Sequence, residues 1–553
     1  MRVVAAMLLL LAQAIPLAAQ TSPPQTTEQR VDRLFADYDK PGSPGCALGV
    51  IQHGAFLYRK GYGAASLELG VPLSSQSLFY MGSVSKQFTA ASVVLAAEQG
   101  LLSLDDDIRK YMPELPDYGK PVTLRQMLHH TSGLREYETL EVLAGQSDRN
   151  LRPTSELIEL IARQKGLNFE PGTEFQYSNT NYFLLAEVIK RATGKPLSVF
   201  AAENIFRPLG MTHTLFYDDS SMVVPGRVPA YAAGRNGGFL VDWSTNFDRV
   251  GAGGLLTSVD DLLLWDRNFY DNHLGKGTLI KQLETRGTLA DGTQIPYLLG
   301  LEEGTYRGLP IIEHSGGHFG YSAELLRFPQ QHFTVACLCN VDQADPVTLA
   351  YSVADIYLKD RLQAADVSTP PSASQFPFSP ARFAGKYHST RYHTMRSVTV
   401  KDGRLSIGST AFDRVGANVF KSSGPWGSTA TFEASGAEEK LIIGSDGQVE
   451  WTGARVNVTE MKQATLADYA GTYTSAELKA SYTITVTHGA LNLQAYGDSV
   501  ITLKPGIRDE FVSSRLPMLG YIALVFQRAA NGRVSGLALS SAGVRDLRFE
   551  KSH

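Results

Sequence analysis

Two segments far apart in the chain alternate apolar and polar residues in the manner of β-hairpins. Residues 44–62, PGCALGVIQHGAFLYRKGY, place such runs on either side of His53-Gly54, and residues 321–341, YSAELLRFPQQHFTVACLCNV, do so around Pro329. Between them, over residues 85–300, helical spacing and loop residues dominate. This arrangement predicts one sheet built from both ends of a domain, with a helical insertion packed on one side.

The end of this first domain is marked by a helix pattern followed by a segment without periodic apolar residues. In DPVTLAYSVADIYLKDRL, Asp345 is a suitable N-cap and Pro346 a suitable first helical residue. Residues 363–380 are rich in proline and serine, which is typical of a linker. The first domain is therefore predicted to span residues 28–362.

The remainder of the chain is a repeat. FAGKYHS at 383–389 matches YAGTYTS at 469–475 with an offset of 86 residues, and the turn dipeptides Asp446-Gly447 and Asn531-Gly532 match with an offset of 85. Strand-like alternation in VTVKDGRLSI and TITVTHGALNL gives each copy one buried face. We predict two small up-and-down β-barrels, at residues 381–460 and 464–553. The fold class is then multidomain: an α/β sandwich, made of an antiparallel sheet and a helical subdomain, followed by two small antiparallel β-barrels.

Composition narrows the class of protein. The 553 residues are 43% hydrophobic and 19% charged, with 51 basic and 55 acidic side chains and a net charge of −4. These values indicate a folded globular protein and no nucleic-acid surface. The start, MRVVAAMLLLLAQAIPLAAQ, has the pattern of a signal peptide over residues 1–20, and no later apolar run has the length of a membrane span. We expect a periplasmic or secreted protein.

Three cysteines, Cys46, Cys337 and Cys339, allow one disulfide at most, so the fold does not depend on a disulfide framework. Cys337 and Cys339 alternate in FTVACLCN and therefore lie on one face of a predicted strand. Because free cysteines are usually buried, we interpret these two residues as core thiols.

The stretch SVSKQFTAASVVLAAEQG predicts a helix that opens at Ser83 and carries Lys86 in its first turn. Val84, Phe88 and Leu95 recur at helical spacing and form its apolar face, with Ser83 and Lys86 on the other. A lysine near a helix N-terminus faces the positive end of the dipole, so Lys86 is either an incidental surface residue or is placed there for chemistry. A lysine can activate a serine hydroxyl when burial and the helix N-terminus lower its pKa.

A second stretch, PGTEFQYSNTNYFLLAEVIKRATG, leads from a turn through Tyr177, Ser178 and Asn179 into a helix. Its polar residues are of the types that function in active sites. They are equally of the types that cap helices, since a Ser178 or Asn179 side chain can accept a hydrogen bond from a free backbone N–H.

A third stretch, IIEHSGGHFGYS, reads as a glycine-rich strand edge where another backbone comes close. His314 and His318 have a spacing that a metal pair can use. However, Gly316 and Gly317 disfavour a helix there, and no carboxylate–histidine set accompanies the pair. We therefore expect no metal and no cofactor.

Taken together, Ser83-Val84-Ser85-Lys86, Tyr177-Ser178-Asn179 and His314-Ser315-Gly316 resemble the serine β-lactamase and penicillin-binding-protein superfamily, in which a Ser-x-x-Lys, a Tyr-x-Asn and a Lys/His-x-Gly motif occur in this order. The branch is that of class C β-lactamases, D-aminopeptidases, D,D-peptidases and β-lactamase-like esterases. LHHTSGL and GAGGLLTSVDDLLLW also resemble structural signatures of the family. The resemblance covers residues 28–362 and implies a β-lactamase-like fold for the first domain.

The resemblance implies catalytic roles for four residues. Ser83 would be the nucleophile, and Lys86 and Tyr177 would form the proton-transfer pair, with the identity of the acylation base left open between them. His314 would line the far wall of the cleft, beside Tyr177 and the leaving side of the substrate.

The same resemblance implies the binding residues. The backbone N–H groups of Ser83 and Gly317 would form the oxyanion hole. Asn179 would hold Lys86 and the substrate amide, and Ser315 and Gly316 would line the substrate site.

The layout of a β-lactamase-like domain and two barrels is most similar to bacterial D-aminopeptidase. The resemblance therefore implies a secreted serine hydrolase that acts on a short peptide with a D-residue. An aminopeptidase also needs an anionic group to bind the ammonium of its substrate. Glu302 and Glu303 are candidates for this group. Because His314 replaces the lysine of class C β-lactamases, efficient β-lactam hydrolysis is not expected. The alternatives are a carboxylesterase or weak β-lactamase, and a non-enzymatic sensor of cell-wall fragments or β-lactams. We expect a small peptide or ester as partner, and the oligomeric state is left open between monomer and homodimer.

Overall fold

A computed structural model describes residues 25–146, 152–242, 249–364, 379–401, 403–422, 427–435, 438–445, 448–457, 465–495, 500–516 and 519–552. The predicted signal peptide, most of the predicted linker 363–380 and the Asp446-Gly447 turn lie outside these ranges.

The first domain contains all the α-helices of the described chain and its first fifteen strands. The helices are α1 (Thr27–Leu34), α2 (Lys86–Glu98), α3 (Leu124–Leu128), α4 (Tyr137–Leu143), α5 (Thr154–Ala162), α6 (Asn179–Thr193), α7 (Leu197–Ala201), α8 (Arg207–Leu209), α9 (Val259–Asp271), α10 (Leu279–Leu283) and α11 (Pro346–Tyr357). The strands are β1 (Cys46–Gln52), β2 (Ala55–Tyr62), β3 (Ala64–Ser66), β4 (Val71–Pro72), β5 (Phe79–Tyr80), β6 (Leu215–Phe216), β7 (Tyr231–Ala233), β8 (Phe239–Val241), β9 (Leu255–Thr257), β10 (Gly287–Thr288), β11 (Gln294–Ile295), β12 (Glu302–Tyr306), β13 (Leu309–His318), β14 (Tyr321–Phe328) and β15 (Phe333–Cys339).

The main sheet has six antiparallel strands in the order β12-β13-β14-β15-β1-β2, so the two ends of the domain form it together. Both predicted hairpins are confirmed. The first turns at His53 and Gly54, which have φ angles of 49° and 71°, and the second turns at Pro329–Gln331. One face of the sheet packs on the helical insertion and the other on α1 and α11, which gives the predicted sandwich.

Helix α2 differs from its prediction. The sequence pattern favoured an amphipathic helix, but every residue from Lys86 to Ala96 is buried. The helix therefore lies in the centre of the domain and has no solvent-facing side along this stretch. Ser83 is not its cap, because it belongs to a short 3-10 turn, Gly82–Ser85, that precedes it. A lysine on this helix is consequently an internal charge rather than a surface residue.

The cysteines also differ from their interpretation. Cys46 on β1 is directly opposite Cys339 on β15, and the two form a disulfide with a sequence separation of 293 residues. The prediction of two core thiols is therefore wrong for Cys339 and holds for Cys337, which is buried and free. The sequence analysis did not predict that β1 and β15, from two distant hairpins, pair as neighbouring inner strands of the sheet with Cys46 opposite Cys339.

Two closed antiparallel barrels follow, as predicted. The first consists of β16 (Gly385–Ser389), β17 (Thr394–Lys401), β18 (Arg404–Ile407), β19 (Thr410–Arg414), β20 (Val419–Ser422), β21 (Thr429–Ser435), β22 (Glu438–Ser445) and β23 (Gln448–Val456). The second consists of β24 (Gly471–Ser475), β25 (Ala480–Thr487), β26 (Ala490–Gln494), β27 (Val500–Pro505), β28 (Glu510–Ser513), β29 (Ala523–Arg528), β30 (Val534–Ser541) and β31 (Val544–Lys551). The repeat extends to side chains, since Tyr387 and Tyr473 each donate a hydrogen bond to the carbonyl four residues earlier.

The second barrel shares a hydrophobic core with the first domain. At this contact Arg135 donates to Glu477 of the second barrel at 2.8 Å, and both side chains are almost fully buried. The same carboxylate accepts from the Lys165 N–H at 2.8 Å. The first barrel contacts the second through His388 and His393, which bond Glu510 at 2.6 and 3.1 Å.

Glu477→Gln is expected to lower the free energy of unfolding by about 3 kcal/mol, because it leaves the buried Arg135 charge without its counter-ion. Calorimetry on the full chain should show this as a lower melting temperature. Lys479→Met is the matched control on the same turn. It removes an exposed ion pair with Glu159, which is worth at most about 1 kcal/mol. Equal melting temperatures for the two variants would contradict the prediction.

Candidate active site

Ser83 lies in the 3-10 turn that leads into α2. Its side chain is half-buried, and Lys86, at the start of α2, is fully buried. Lys86 Nζ donates to Ser83 Oγ at 2.9 Å. Gly82 has a φ of +50°, and a methyl group there would lie 2.5 Å from the backbone nitrogen of Gly317. Glycine at position 82 therefore lets the turn approach strand β13 closely.

The Lys86 amine is held by three oxygen acceptors. Besides Ser83 Oγ, these are Asn179 Oδ1 at 2.8 Å and the carbonyl of Ala252 at 2.8 Å. Burial lowers the pKa of Lys86 to about 7, although nearby carboxylates, first among them Glu138, act in the opposite direction. Near neutral pH a large share of the amine is therefore uncharged. In that state its two N–H groups can donate to Asn179 and Ala252, and its lone pair faces Ser83 Oγ and accepts from the serine hydroxyl.

Tyr177 completes the contacts of the serine oxygen. Its hydroxyl donates to Ser83 Oγ at 2.8 Å, and its ring centroid is 4.8 Å from Lys86 Nζ. Burial, as the main cause, raises the pKa of Tyr177 well above its usual value, so the phenol keeps its proton. The two neighbours of Ser83 therefore suit opposite tasks, since the amine can accept a proton and the phenol can donate one.

His130, to which the sequence analysis gave no role, supports this pair. It is fully buried, and its Nδ1 accepts a hydrogen bond from the Ser178 N–H at 3.1 Å. Its ring centroid is 4.3 Å from that of Tyr177. Burial lowers the pKa of His130 well below its usual value, so the ring is neutral. The LHHTSGL stretch therefore positions Tyr177 and the start of α6.

Strand β13 passes directly against the turn that holds Ser83. A methyl group on Gly316 would lie 2.0 Å from the Met81 carbonyl oxygen and 2.9 Å from the Ser83 nitrogen. Gly317 also lies close to Gly82. The segments that carry the backbone nitrogens of Ser83 and Gly317 are therefore in direct contact. The predicted oxyanion pair needs this arrangement, and any side chain at position 316 would prevent it.

His314 lies in the wall of the cleft rather than at the serine oxygen. Its Nδ1 is 2.6 Å from the Ser315 carbonyl, which can only accept, so Nδ1 carries the proton. Its Nε2 then accepts from the Tyr297 hydroxyl at 3.1 Å, and its ring centroid is 6.3 Å from that of Tyr177. Burial, helped by the Lys86 charge, lowers the pKa of His314 to about 3, so the ring is neutral.

Two carboxylates that the sequence analysis missed lie on the other side of Tyr177. Glu136 is buried and accepts a hydrogen bond from the Asn179 N–H at 2.5 Å. Glu138 is half-buried, and burial, together with Glu136, raises the pKa of Glu138 to about 7. The second barrel reaches this point, because the Gly543 carbonyl accepts from the Glu136 N–H at 2.8 Å. The sequence offered no signal for this contact, which joins residues of different domains.

Two cavities adjoin Tyr177. The first, which we call the loop cleft, has a volume of about 350 Å³ and is lined in part by residues of the second barrel. It is lined by Glu136, Glu138, Thr139, Tyr177, Asn179, Ala542 and Gly543. The second, which we call the carboxylate cavity, has a volume of about 510 Å³ and runs from Tyr177 and Ser315 to the first barrel. Its acidic lining residues are Glu302, Glu303, Glu313, Glu324 and Glu450.

Cys46, Cys337 and Cys339 form the one group of three metal-ligand side chains that converge within 4.8 Å in the described parts of the chain. Two of these sulfurs are already joined in the disulfide. Of the described helices, none combines the length and the apolar character that a membrane crossing needs.

Comparison with known proteins agrees with this geometry. The Beta-lactamase family model matches residues 31–358, which contain every catalytic and binding residue named above. Penicillin-binding protein 4* of Bacillus subtilis is 31% identical over 340 residues, which cover 58% of this chain and 73% of that protein.

The relatives include D-aminopeptidases from several bacteria. The protein of Gluconobacter oxydans is 29% identical over 314 residues, and the match covers 57% of this chain and 59% of that protein. The protein of Brucella canis is 25% identical over 550 residues, and the match covers 95% of this chain and 98% of that protein. The similarity to the second therefore extends through both barrels.

Proposed function

The chain belongs to the Beta-lactamase family and is a serine hydrolase, and from that premise we propose that it forms an acyl-enzyme on short peptides or amides with a D-residue at the scissile bond. The observation that carries the proposal is the placement of one oxygen, Ser83 Oγ. It lies 2.9 Å from a buried amine and 2.8 Å from a half-buried phenol.

Acylation follows from the contacts of Ser83. The uncharged Lys86 amine takes the hydroxyl proton while Oγ forms a bond to the substrate carbonyl carbon. The carbonyl oxygen becomes an oxyanion and accepts hydrogen bonds from the N–H groups of Ser83 and Gly317. Each such donor contributes about 2.7–4 kcal/mol to the stability of the transition state. Asn179 keeps the Lys86 amine aimed at the serine.

Collapse of this intermediate breaks the bond from carbon to the leaving nitrogen. Tyr177 gives its proton to that nitrogen and recovers one from the Lys86 ammonium, so proton and charge balance at the end of the step. Water then attacks the acyl-enzyme with the same groups acting in reverse. His314 acts in this scheme as a neutral wall that holds Tyr297, not as a proton carrier.

The loop cleft supports a substrate with a free amine. In an amino-acid amide the ammonium is one carbon from the scissile carbonyl, so its counter-ion must lie close to Ser83. Glu138 meets this need, since it lines the cleft beside Tyr177 and Asn179 and its charge reaches Lys86. Its place makes it a better candidate than Glu303, which forms an ion pair with Arg286. The similarity to D-aminopeptidases supports the D-configuration.

Export is part of the proposal. The apolar pattern of residues 1–20 is that of a leader. The Cys46–Cys339 disulfide is independent support, because structural disulfides persist in oxidising compartments such as the periplasm.

The test is a panel of chromogenic substrates with one purified sample. D-alanine p-nitroanilide should be cleaved at least about tenfold faster, by kcat/KM, than its L-isomer, because a factor of ten needs only about 1.4 kcal/mol of differential transition-state binding. N-acetyl-D-alanine p-nitroanilide is the matched control, since it keeps the chirality and removes the ammonium. An aryl ester and a chromogenic cephalosporin complete the panel.

Equal turnover of the D- and L-anilides would overturn the D-residue proposal, and equal turnover of the acetylated anilide would overturn the aminopeptidase assignment. A mass adduct with penicillin that persists without turnover of any substrate would identify a sensor. Fast turnover of the ester or the cephalosporin alone would identify an esterase or a β-lactamase.

A further inference from the structure

The carboxylate cavity has an unbalanced charge. Five carboxylates line it, whereas no lysine, arginine or histidine is among its described lining residues. Glu303 forms an ion pair with Arg286, and Glu313 accepts a hydrogen bond from the Tyr351 hydroxyl at 2.8 Å. Among the described side chains that line the cavity, none carries a positive charge to balance these carboxylates, and a cavity with such an excess of negative charge attracts a cation.

Glu324 is the most unusual of these carboxylates. Its side chain is fully buried, and within the described chain neither of its oxygens has a partner at full hydrogen-bond geometry, although the Glu313 carboxyl and the Leu325 N–H are close enough to influence its pKa. Its acidic neighbours are Glu313 and Glu302, and burial together with their negative charges raises the pKa of Glu324 well above its usual value. A buried acceptor without a donor is costly, so its retention calls for a ligand.

The ligand is not a simple metal ion. In the described chain the cysteine group is the one set of three ligating side chains with atoms within 4.8 Å of one another, so the carboxylates do not converge on one point. They are instead spread along a cavity of about 510 Å³. That spacing suits an elongated organic cation, whose stem occupies the cavity and whose charged head meets Glu324.

The position of the cavity indicates which part of a substrate would enter it. One end is lined by Tyr177 and Ser315, and the loop cleft lies on the Asn179 side. Under the proposed function Tyr177 gives its proton to the leaving nitrogen, so the leaving part of the substrate lies at this end. We propose that the carboxylate cavity is a subsite for a positively charged side chain, an ammonium or guanidinium, carried by the leaving part of the substrate.

This proposal rests on the proposed function and makes it narrower: the substrates are peptides in which a basic residue follows the scissile D-residue. An entering ammonium supplies the opposite charge that Glu324 lacks and allows its carboxyl group to ionise. The carboxylates of Glu302 and Glu313 then add to the attraction rather than opposing the ionised form.

The experiment compares three dipeptides that differ only in the charge of the leaving side chain. They are D-alanyl-lysine, D-alanyl-Nε-acetyl-lysine and D-alanyl-norleucine, with D-alanine p-nitroanilide as a substrate that lacks a basic leaving group. We expect D-alanyl-lysine to exceed the two neutral dipeptides about tenfold or more in kcat/KM. The same order should appear in calorimetric binding to the Ser83→Ala protein.

Two variants test the cavity itself. Glu324→Gln keeps the shape of the side chain and should reduce the lysine preference about tenfold, while p-nitroanilide turnover stays within about twofold. Glu302→Gln changes an exposed residue and guards against misfolding of the buried variant. Glu433→Gln, an exposed carboxylate on the first barrel outside the cavity, is the matched control and should leave the preference unchanged.

The outcomes separate the two proposals. If the p-nitroanilide is cleaved but the three dipeptides react and bind equally, the cavity proposal is overturned and the proposed function stands. A lysine preference that survives both Glu324→Gln and Glu302→Gln also overturns the cavity proposal. If neither the anilide nor any dipeptide is cleaved, the proposed function fails, and equal binding to the Ser83→Ala protein would then overturn the subsite as well.

Discussion

Replacing Ser83 by alanine is expected to reduce kcat for every substrate of the panel by about 10⁴-fold or more, because the attacking oxygen is lost and the remaining groups have no covalent step to assist. The change removes one half-buried hydroxyl, so the fold should be retained. Stopped assays with D-alanine p-nitroanilide measure the rate. Intact-mass measurement after a fluorophosphonate measures the covalent step directly.

The matched control for this variant is Ser92→Ala. Ser92 is also on the buried α2 segment, but its hydroxyl only donates back to the Phe88 carbonyl at 2.8 Å. Its removal should leave turnover and labelling nearly unchanged. Labelling of the Ser83→Ala protein at the wild-type rate, or loss of labelling in Ser92→Ala, would show that another residue is the nucleophile.

Lys86→Met is expected to lower kcat by a similar factor and to remove the pH dependence that the amine confers. In the wild type the amine must be uncharged to accept the serine proton, and the pKa of Lys86 is lowered to about 7. The rate of acylation should therefore rise with pH and level off above about pH 7. Pre-steady-state rates between pH 5 and 9, with Lys190→Met as an exposed control, measure this profile.

The Lys86→Met protein should lose activity without losing stability, so misfolding would not explain its lower kcat. The pKa of Lys86 is lower in the folded protein than in the unfolded chain, so between about pH 7 and the unfolded value of about 10.4 the unfolded chain binds more protons. Folding stability contributed by this group therefore rises with pH across that window. Lys86→Met removes the cost of a buried charge and should be at least as stable at pH 7. A less stable variant with wild-type activity would refute the assignment of Lys86 as the base.

Local patterns were sufficient to predict most of the fold. Alternation around His53-Gly54 and Pro329 identified the two hairpins, and an offset of 86 residues identified the two barrels. The same patterns failed where distant residues decide the environment. Helix α2 has apolar residues at helical spacing on one side, but sheet, helices and loops surround it completely, and no local pattern contains that information.

In the candidate site, too, some residues could be predicted from local sequence and others could not. Ser83, Lys86 and Tyr177 could be selected from short motifs, and the structure brings these three side chains together. Glu138 and Glu324 could not, because a carboxylate in a loop or strand is ordinary until its surroundings are known. Their significance comes from burial and from the cavities that they line, both of which depend on contacts between segments far apart in the chain.

The main sheet contains strands from both ends of the first domain, so it can form only after the whole domain has been synthesised. Strand β1 is made early in synthesis, but its partner β15 and the glycines of β13 follow more than two hundred residues later. Such distant pairings are slow to form. A growing polypeptide therefore contains Ser83 long before it contains Gly317, whose N–H would complete the proposed oxyanion hole, and we expect it to be inactive until the last strands of the sheet have been made.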